Sequence, residues 1–369
     1  MYACYLIALV PLVIGAVLFI VQKKVVWFEW LISAGAGFAT AGIFHAVALG
    51  MLTGDTETWS GQVTQVVDYP YWEARWTTTE TYTDSKGRSH TRTVHHHEVY
   101  PEHWAAQDTL GQELDVSKPT FEDFKRRLGG TVNRQKPYKD NFDCGDPYTY
   151  HTPNTAAACI PVTAWRNFEN KVKTCKNLFA FSEVPKDVPV FAYPANRDPY
   201  HSNRLLGATG VGGLEWDQLN ARLGPTKKVN LILVGCGAKD VSFAQYQEAA
   251  WVRGRKNDLV LCFGGDPKKP TWSYVFGWTD REVVKRNLES ILLEKGADLP
   301  AIEAEVRANY LLKDWSKFDY LTVEVPDKYY VWLIIIMLVT QALFWVWAVY
   351  NEFDKETVAG RLLRLRRGW

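Results

Sequence analysis

Three apolar runs constrain this chain more than any motif. Residues 3–21 carry no charge, residues 25–52 contain only Glu29 and His45 among acidic and basic residues, and residues 329–350 carry no charge. Each is close to the ~20 residues that a helix needs to cross a ~30 Å hydrocarbon core at 1.5 Å per residue. They predict an N-terminal transmembrane helical hairpin over 1–52 and one C-terminal transmembrane helix over 328–350. The small residues Ser33, Ala34, Gly35, Ala36, Gly37, Ala39, Ala41 and Gly42 give the second run a surface for close helix packing. Its simplest partner is the first or third run of the same chain, and the alternative is a second copy.

Basic residues set an orientation. Lys23 and Lys24 lie in the turn between the first two runs, and Arg361, Arg364, Arg366 and Arg367 follow the third. Positive charge beside a membrane helix favours the cytoplasmic side. One arrangement satisfies both clusters: a cytoplasmic tail over 351–369 and residues 53–327 extracytoplasmic. The expected address is a bacterial inner membrane, with the bilayer itself as the first partner. The first run lacks a basic segment before it, unlike a cleaved signal peptide.

A net charge of +1 over 369 residues, with no sustained basic stripe, argues against nucleic acid as a partner. Of six cysteines, Cys144, Cys159, Cys175, Cys236 and Cys262 fall in the segment between the helices. In an oxidising compartment these are disulfide candidates. Their odd number leaves at least one thiol unpaired within the chain.

Residues 53–130 read as β-rich. The Thr-rich runs 76–83 and 89–97 flank the polar turn Asp84-Ser-Lys-Gly-Arg88, a hairpin pattern. Its polarity predicts a solvated arm with an edge open to a partner chain. His95 and His97 alternate along the second run, so one strand face would carry both as metal ligands, with Glu73 or His103 as a third. Without metal the same histidines are a polar, exposed face. Residues 131–205 are loop-rich, punctuated by Pro147, Pro153, Pro161, Pro185 and Pro199. A helix over 119–128 is expected to be capped by Thr120 and stopped by Gly129-Gly130.

Residues 206–327 read as an α/β domain, whose best organised part is 214–294. Within them, 214–294 reads α-β-α-β-β-α, with buried strands over 229–234 and 259–263, a third over 271–276, and Thr279 or Asp280 capping the last helix. The first βαβ unit implies a parallel pair, followed by a hairpin strand. The fold class is therefore an α+β membrane protein: helical hairpin, β-rich arm, α/β domain, one C-terminal span. Asp240, Asp258 and Asp280 fall at ends of these elements, where a sheet edge could hold a divalent cation. The competing role for each is to cap a helix or a turn.

This stretch resembles the TPM domain, the family named for thylakoid and phosphatase-like members. The likeness rests on Leu219-Asn220, the strand 229–234, Tyr246 and Trp251, the turn Gly254-Arg-Lys-Asn-Asp258, the strand 259–263 and Tyr274-Val-Phe-Gly277. The chain departs from the family where Phe276-Gly277-Trp278 replaces its usual Gly-Tyr-Gly. The resemblance implies an alternative function as a metal-dependent phosphatase. Asp55-Thr-Glu-Thr-Trp-Ser-Gly61, Tyr100-Pro-Glu-His-Trp104, Asn203-Arg-Leu-Leu206 and Lys256-Asn-Asp-Leu259 also resemble segments of uncharacterised membrane proteins of tailed bacteriophages. That likeness implies a phage-encoded protein acting at the host envelope.

The function expected from these readings is a membrane-anchored binding or assembly protein, with a homo-oligomer or an envelope protein as partner. No cofactor is required, and a divalent cation is the one that the carboxylates or histidines could hold. An oligomeric membrane pore is the remaining alternative; a single copy offers few polar residues to line one.

Overall fold

The computed structural model describes residues 27–129, 132–135, 148–151, 159–175, 179, 181, 183–194, 198–200 and 202–350, with Val10, Val13, Ile14 and Val17 of the first apolar run. They form two compact units, 1–55 with 167–179 and 316–369, and 56–166 with 180–315. The basic residues Lys23, Lys24, Arg361, Arg364, Arg366 and Arg367, and Cys144, lie outside the described residues.

In the first unit, α1 (Trp27–Thr53) packs against α7 (Asp327–Tyr350). Both helices are long and apolar enough to cross a membrane. The small residues of α1 do what their size permits. Ser33, Ala34, Gly37, Ala41 and Ala48 form the buried stripe, and Ala41 meets Leu333 and Met337. Near the start of α1, Ser33 Oγ donates to Gln341 Oε1 at 2.6 Å, and Gln341 Nε2 returns a 3.4 Å bond to the Ser33 carbonyl. Ser33 pairs with Gln341 late in α7, and Ala41, further along α1, clusters with Leu333 and Met337 earlier in α7, so the helices run antiparallel. The outward faces are bare hydrocarbon: Ile43, Met51, Trp332 and Leu343 are all more than half exposed.

The second unit holds three sheets. The first is built on the long strand β1 (Gly54–Tyr69), with β4 (His103–Asp108) and β5 (Glu113–Val116) on one side. On the other side are β7 (Tyr148–His151) and β6 (Val132–Gln135), and β8 (Pro161–Glu169) also pairs with β1. Strands from the expected loop-rich stretch thus complete the β-rich sheet. Helix α2 (Lys118–Leu128) buries Phe121, Phe124 and Leu128 against Val63, Val66 and Ala106. Its cap is Ser117 rather than Thr120, because Ser117 Oγ accepts from the Thr120 amide at 3.4 Å. Gly129 ends it at φ 57°, a left-handed turn that suits glycine.

The second sheet has the order β12 (Lys269–Gly277), β11 (Asp258–Asp266), β10 (Asn230–Gly235), β9 (Leu205–Leu206). Strands β9, β10 and β11 are parallel and β12 closes a hairpin on β11. With α3 (Gly213–Lys227), α4 (Val241–Trp251) and α5 (Glu282–Lys295), this is the order read from the sequence. One detail differs: the residue capping α5 is Arg281, whose side chain makes no capping bond, rather than Thr279 or Asp280. Burial on both faces explains the unbroken apolar strands. Leu231, Leu233, Leu259 and Leu261 face Trp216, Leu219 and Leu223 of α3, Val284, Leu288 and Leu292 of α5, and Ile302 and Val306 of α6 (Leu299–Asn309). Ile232, Val234, Val260 and Cys262 face Phe243 and Ala244 of α4. Because β9 pairs with β10 only at Leu233 and Val234, the edge of Leu231 away from β11 has no β9 residue beside it. Asn220, fully buried, takes that place: its Oδ1 accepts from Leu231 N at 2.7 Å and its Nδ2 donates to Leu231 O at 3.2 Å.

The third sheet is the hairpin of β2 (Trp72–Thr83) and β3 (Ser89–Tyr100), twelve cross-strand pairs long. Asp84 Oδ1 accepts from the amides of Lys86 and Arg88 and closes the turn.

Candidate functional site

Two places concentrate polar chemistry. One is buried at the amino-terminal end of the parallel strands. Arg204 is 4% exposed and makes five hydrogen bonds: Nε to Asn230 Oδ1 at 2.7 Å, Nη1 to Ser202 Oγ at 2.8 Å and Asp217 Oδ1 at 3.1 Å, Nη2 to Ser60 Oγ at 2.7 Å and Thr163 Oγ1 at 3.2 Å. Burial pulls the guanidinium below its ordinary value, and Asp217 opposes that. Asn230 Nδ2 then donates to Asp258 Oδ1 at 2.8 Å. Asp258 Oδ2 accepts from the Arg255 amide at 2.7 Å and from Tyr193 Oη at 2.8 Å. Burial raises the Asp258 carboxyl, and these three donors partly offset it. The cavity beside Arg204, Asn230 and Tyr193 is about 20 Å³, enough for one water. The cluster is a built polar core joining β1, β8 and β10.

The three candidate carboxylates are not brought together. Asp240 caps α4, accepting from Ser242 N at 3.1 Å, beyond the carboxyl end of β10. Asp258 opens β11 at the opposite end of the sheet, roughly 16 Å away by strand rise. Asp280 follows β12 and pairs with Lys313 Nζ at 2.5 Å. A cation whose oxygen ligands lie at about 2.3–2.6 Å cannot span that set.

The second place is the arm. Cross-strand neighbours on one face are Trp76 and His96, whose rings stack at 5.0 Å, and Tyr82 and His90 at 5.5 Å. The other face carries His95 opposite Thr77 and His97 opposite Arg75. His97 Nε2 lies 3.1 Å from Glu73 Oε2, so one sequence-predicted ligand does meet its expected neighbour. Hydrogen bonds from Tyr71, Arg75 and His97 hold the Glu73 carboxyl down at about 2. His103 stacks instead on Tyr69, with ring centroids 4.4 Å apart. Among the described residues no three His, Cys, Asp or Glu side chains of one chain converge on a metal position.

Cys159, Cys175, Cys236 and Cys262 are all free thiols, a correction to the disulfide expectation for these four. Cys236 and Cys262 share one face of the α/β sheet. Val234 stands opposite Cys262 in register, so Cys236 lies one pleat further on and reaches it only diagonally. Burial pushes the Cys262 thiol well up, and its hydrogen bond lowers that of Cys236. Such buried thiols pack as small apolar groups.

The Arg204 cluster was not foreseen in the sequence, where a lone arginine before a two-residue strand carries no pattern. No family model, curated protein or solved structure matches the chain.

Proposed function

We propose that this is a membrane-anchored binding and assembly protein, with residues 54–326 on the extracytoplasmic side of a bacterial inner membrane. The β2–β3 arm is its contact surface. The observation that carries the reading is the arm itself: twelve pairs of largely exposed residues in a sheet of two strands, with aromatic stacks on one face. An isolated two-stranded hairpin is marginally stable in water, and both of its edges offer unpaired backbone groups. A further strand supplies what it lacks.

Anchoring is supported by the two apolar helices and by their bare outward faces. The antiparallel packing supports the topology. The segment 54–326 leaves α1 and re-enters α7 at one end of the pair, and in sequence Lys23-Lys24 and the arginine tail flank the other end. That segregation of charge follows the positive-inside rule.

The test is site-specific photo-crosslinking of the full chain in native membranes, with the photoreactive residue at Thr79 of the arm or at exposed Val283 of α5. Crosslinking from Thr79 to a second copy or to one defined envelope protein, absent from Val283, is the expected result. Equal and diffuse labelling from both positions would overturn the reading.

A further inference from the structure

The arm carries half of a metal site. His95 and His97 are two residues apart on one face of β3, so their Cβ atoms are separated by roughly 6.6 Å along the strand. Both imidazoles are exposed. Two nitrogens leave a transition-metal ion unsaturated, and no third ligand converges within the chain among the described residues. Among the described residues, no strand pairs with the outer edge of β3.

We propose that a second copy completes the site. The edges of two β3 strands pair antiparallel about a two-fold axis at His96, and one divalent late transition metal binds the four imidazoles of His95 and His97 from both copies. This rests on the reading of the arm as an assembly surface and names its partner and its ligand.

The register follows from strand geometry. With His96 opposite its own copy, His95 stands opposite the second copy's His97, and His97 opposite its His95. Facing Cβ atoms across an antiparallel pair are about 5 Å apart. The four histidines therefore outline a rectangle of roughly 5 by 6.6 Å whose centre is roughly 4 Å from each Cβ. A metal on the two-fold axis, a few ångströms above that centre, lies within reach of all four imidazoles with ordinary metal–nitrogen bonds of about 2.0–2.1 Å. Four nitrogens rising from one sheet face suit Ni²⁺ or Cu²⁺, and sheet twist brings them toward the tetrahedron that Zn²⁺ prefers.

The rest of the register is compatible. Thr93 faces the second copy's Val99, Val94 faces its Glu98, and Arg92 faces its Tyr100, so no like charges oppose one another directly. On the opposite face each Trp76–His96 stack meets its copy, giving a row of four rings. His97 must exchange its 3.1 Å contact with Glu73 for the metal; that pair is exposed, so the exchange is a small loss.

The experiment uses the full chain in mild detergent, without a polyhistidine tag, and titrates Ni²⁺ by calorimetry while mass is read by light scattering. The expected result is one Ni²⁺ per two chains, a doubling of mass on addition and reversal by chelator. His95→Ala with His97→Ala abolishes both, whereas His96→Ala leaves metal stoichiometry intact. Binding of one Ni²⁺ per chain without a change of mass would overturn the shared site, as would no binding at all. Self-crosslinking from Thr79 that persists in chelator would sink the metal site and leave the assembly reading standing. Absence of any defined Thr79 crosslink, to a second copy or to an envelope protein, would sink both.

Discussion

Replacing Arg204 with Met tests whether the buried polar cluster holds the second unit together. The guanidinium is 4% exposed and donates to Asn230, Ser202, Asp217, Ser60 and Thr163. Methionine restores much of the volume and none of the donors. Asp217, 15% exposed, keeps only its bond from Ser202. Ser60 and Thr163 lose a partner, and Asn230 retains only Asp258. Breaking a buried ion pair by removing one member costs about 3–5 kcal/mol. Orphaned neutral groups cost about 1–3 kcal/mol each, but not additively. A loss of about 4 kcal/mol is therefore expected, a large part of the roughly 5–15 kcal/mol that holds a typical domain together. Arg204→Lys retains the charge with fewer, less directed donors and should lose about half as much. The assay is urea unfolding of the full chain in mild detergent, followed by tryptophan fluorescence. Trp216, fully buried with its Nε1 bonded to Leu231 O at 3.0 Å, reports on this sheet. Adding Asp217→Asn to Arg204→Met should cost much less than Asp217→Asn alone, with a coupling of about 1–3 kcal/mol. A loss under about 1 kcal/mol for Arg204→Met, or strict additivity, would refute the argument.

Other outcomes follow from the same geometry. Asp258→Asn puts an amide donor against donors and should cost about 1–3 kcal/mol in the same unfolding assay. Because burial raises the Asp258 carboxyl in the folded state, its contribution is most favourable below the ordinary carboxylate value and declines as pH rises toward the raised folded value. The Asn variant should lose that slope in a pH series of urea midpoints. Glu73 has the opposite sign: its carboxyl should titrate near 2 by NMR, returning toward ordinary values in Arg75→Ala with Tyr71→Phe. Gly224→Ala should unfold the second unit or cost several kcal/mol, since a Cβ there would lie 1.9 Å from the Ser60 carbonyl oxygen. Gln341→Leu should weaken the α1–α7 pair by about 0.6–2 kcal/mol in a helix-association assay.

Much of this fold was legible because it rests on periodicity. Strands buried on both faces read as unbroken apolar runs, and the helix order around them followed from spacing and turns. The hairpin was legible from two Thr-rich runs around Asp84–Arg88, and the packing face of α1 from its small residues. Pairings between distant strands were not. β8 lies in a proline-punctuated stretch and joins β1 from nearly a hundred residues away, a contact that no local pattern encodes. The caps were mis-set by a few residues, with Ser117 winning over Thr120, because several adjacent side chains could each reach an orphan amide. For the candidate site, spacing correctly put His95 and His97 on one face, since a strand fixes alternation. Spacing alone did not show how far apart Asp240, Asp258 and Asp280 would lie, because that depends on which end of its strand each residue flanks. Arg204 was invisible: its role comes from the partners that β1 and β8 bring to it.

The most direct test of the account is the topology of the full chain in sealed vesicles of known orientation. Epitopes at the C-terminus and at the arm turn near Lys86 would be probed by added protease after carbonate extraction. The chain should stay in the membrane fraction. The arm epitope should be cut only from the extracytoplasmic side and the C-terminal epitope only from the cytoplasmic side. Extraction by carbonate, or cleavage of both epitopes from one side, would contradict the account.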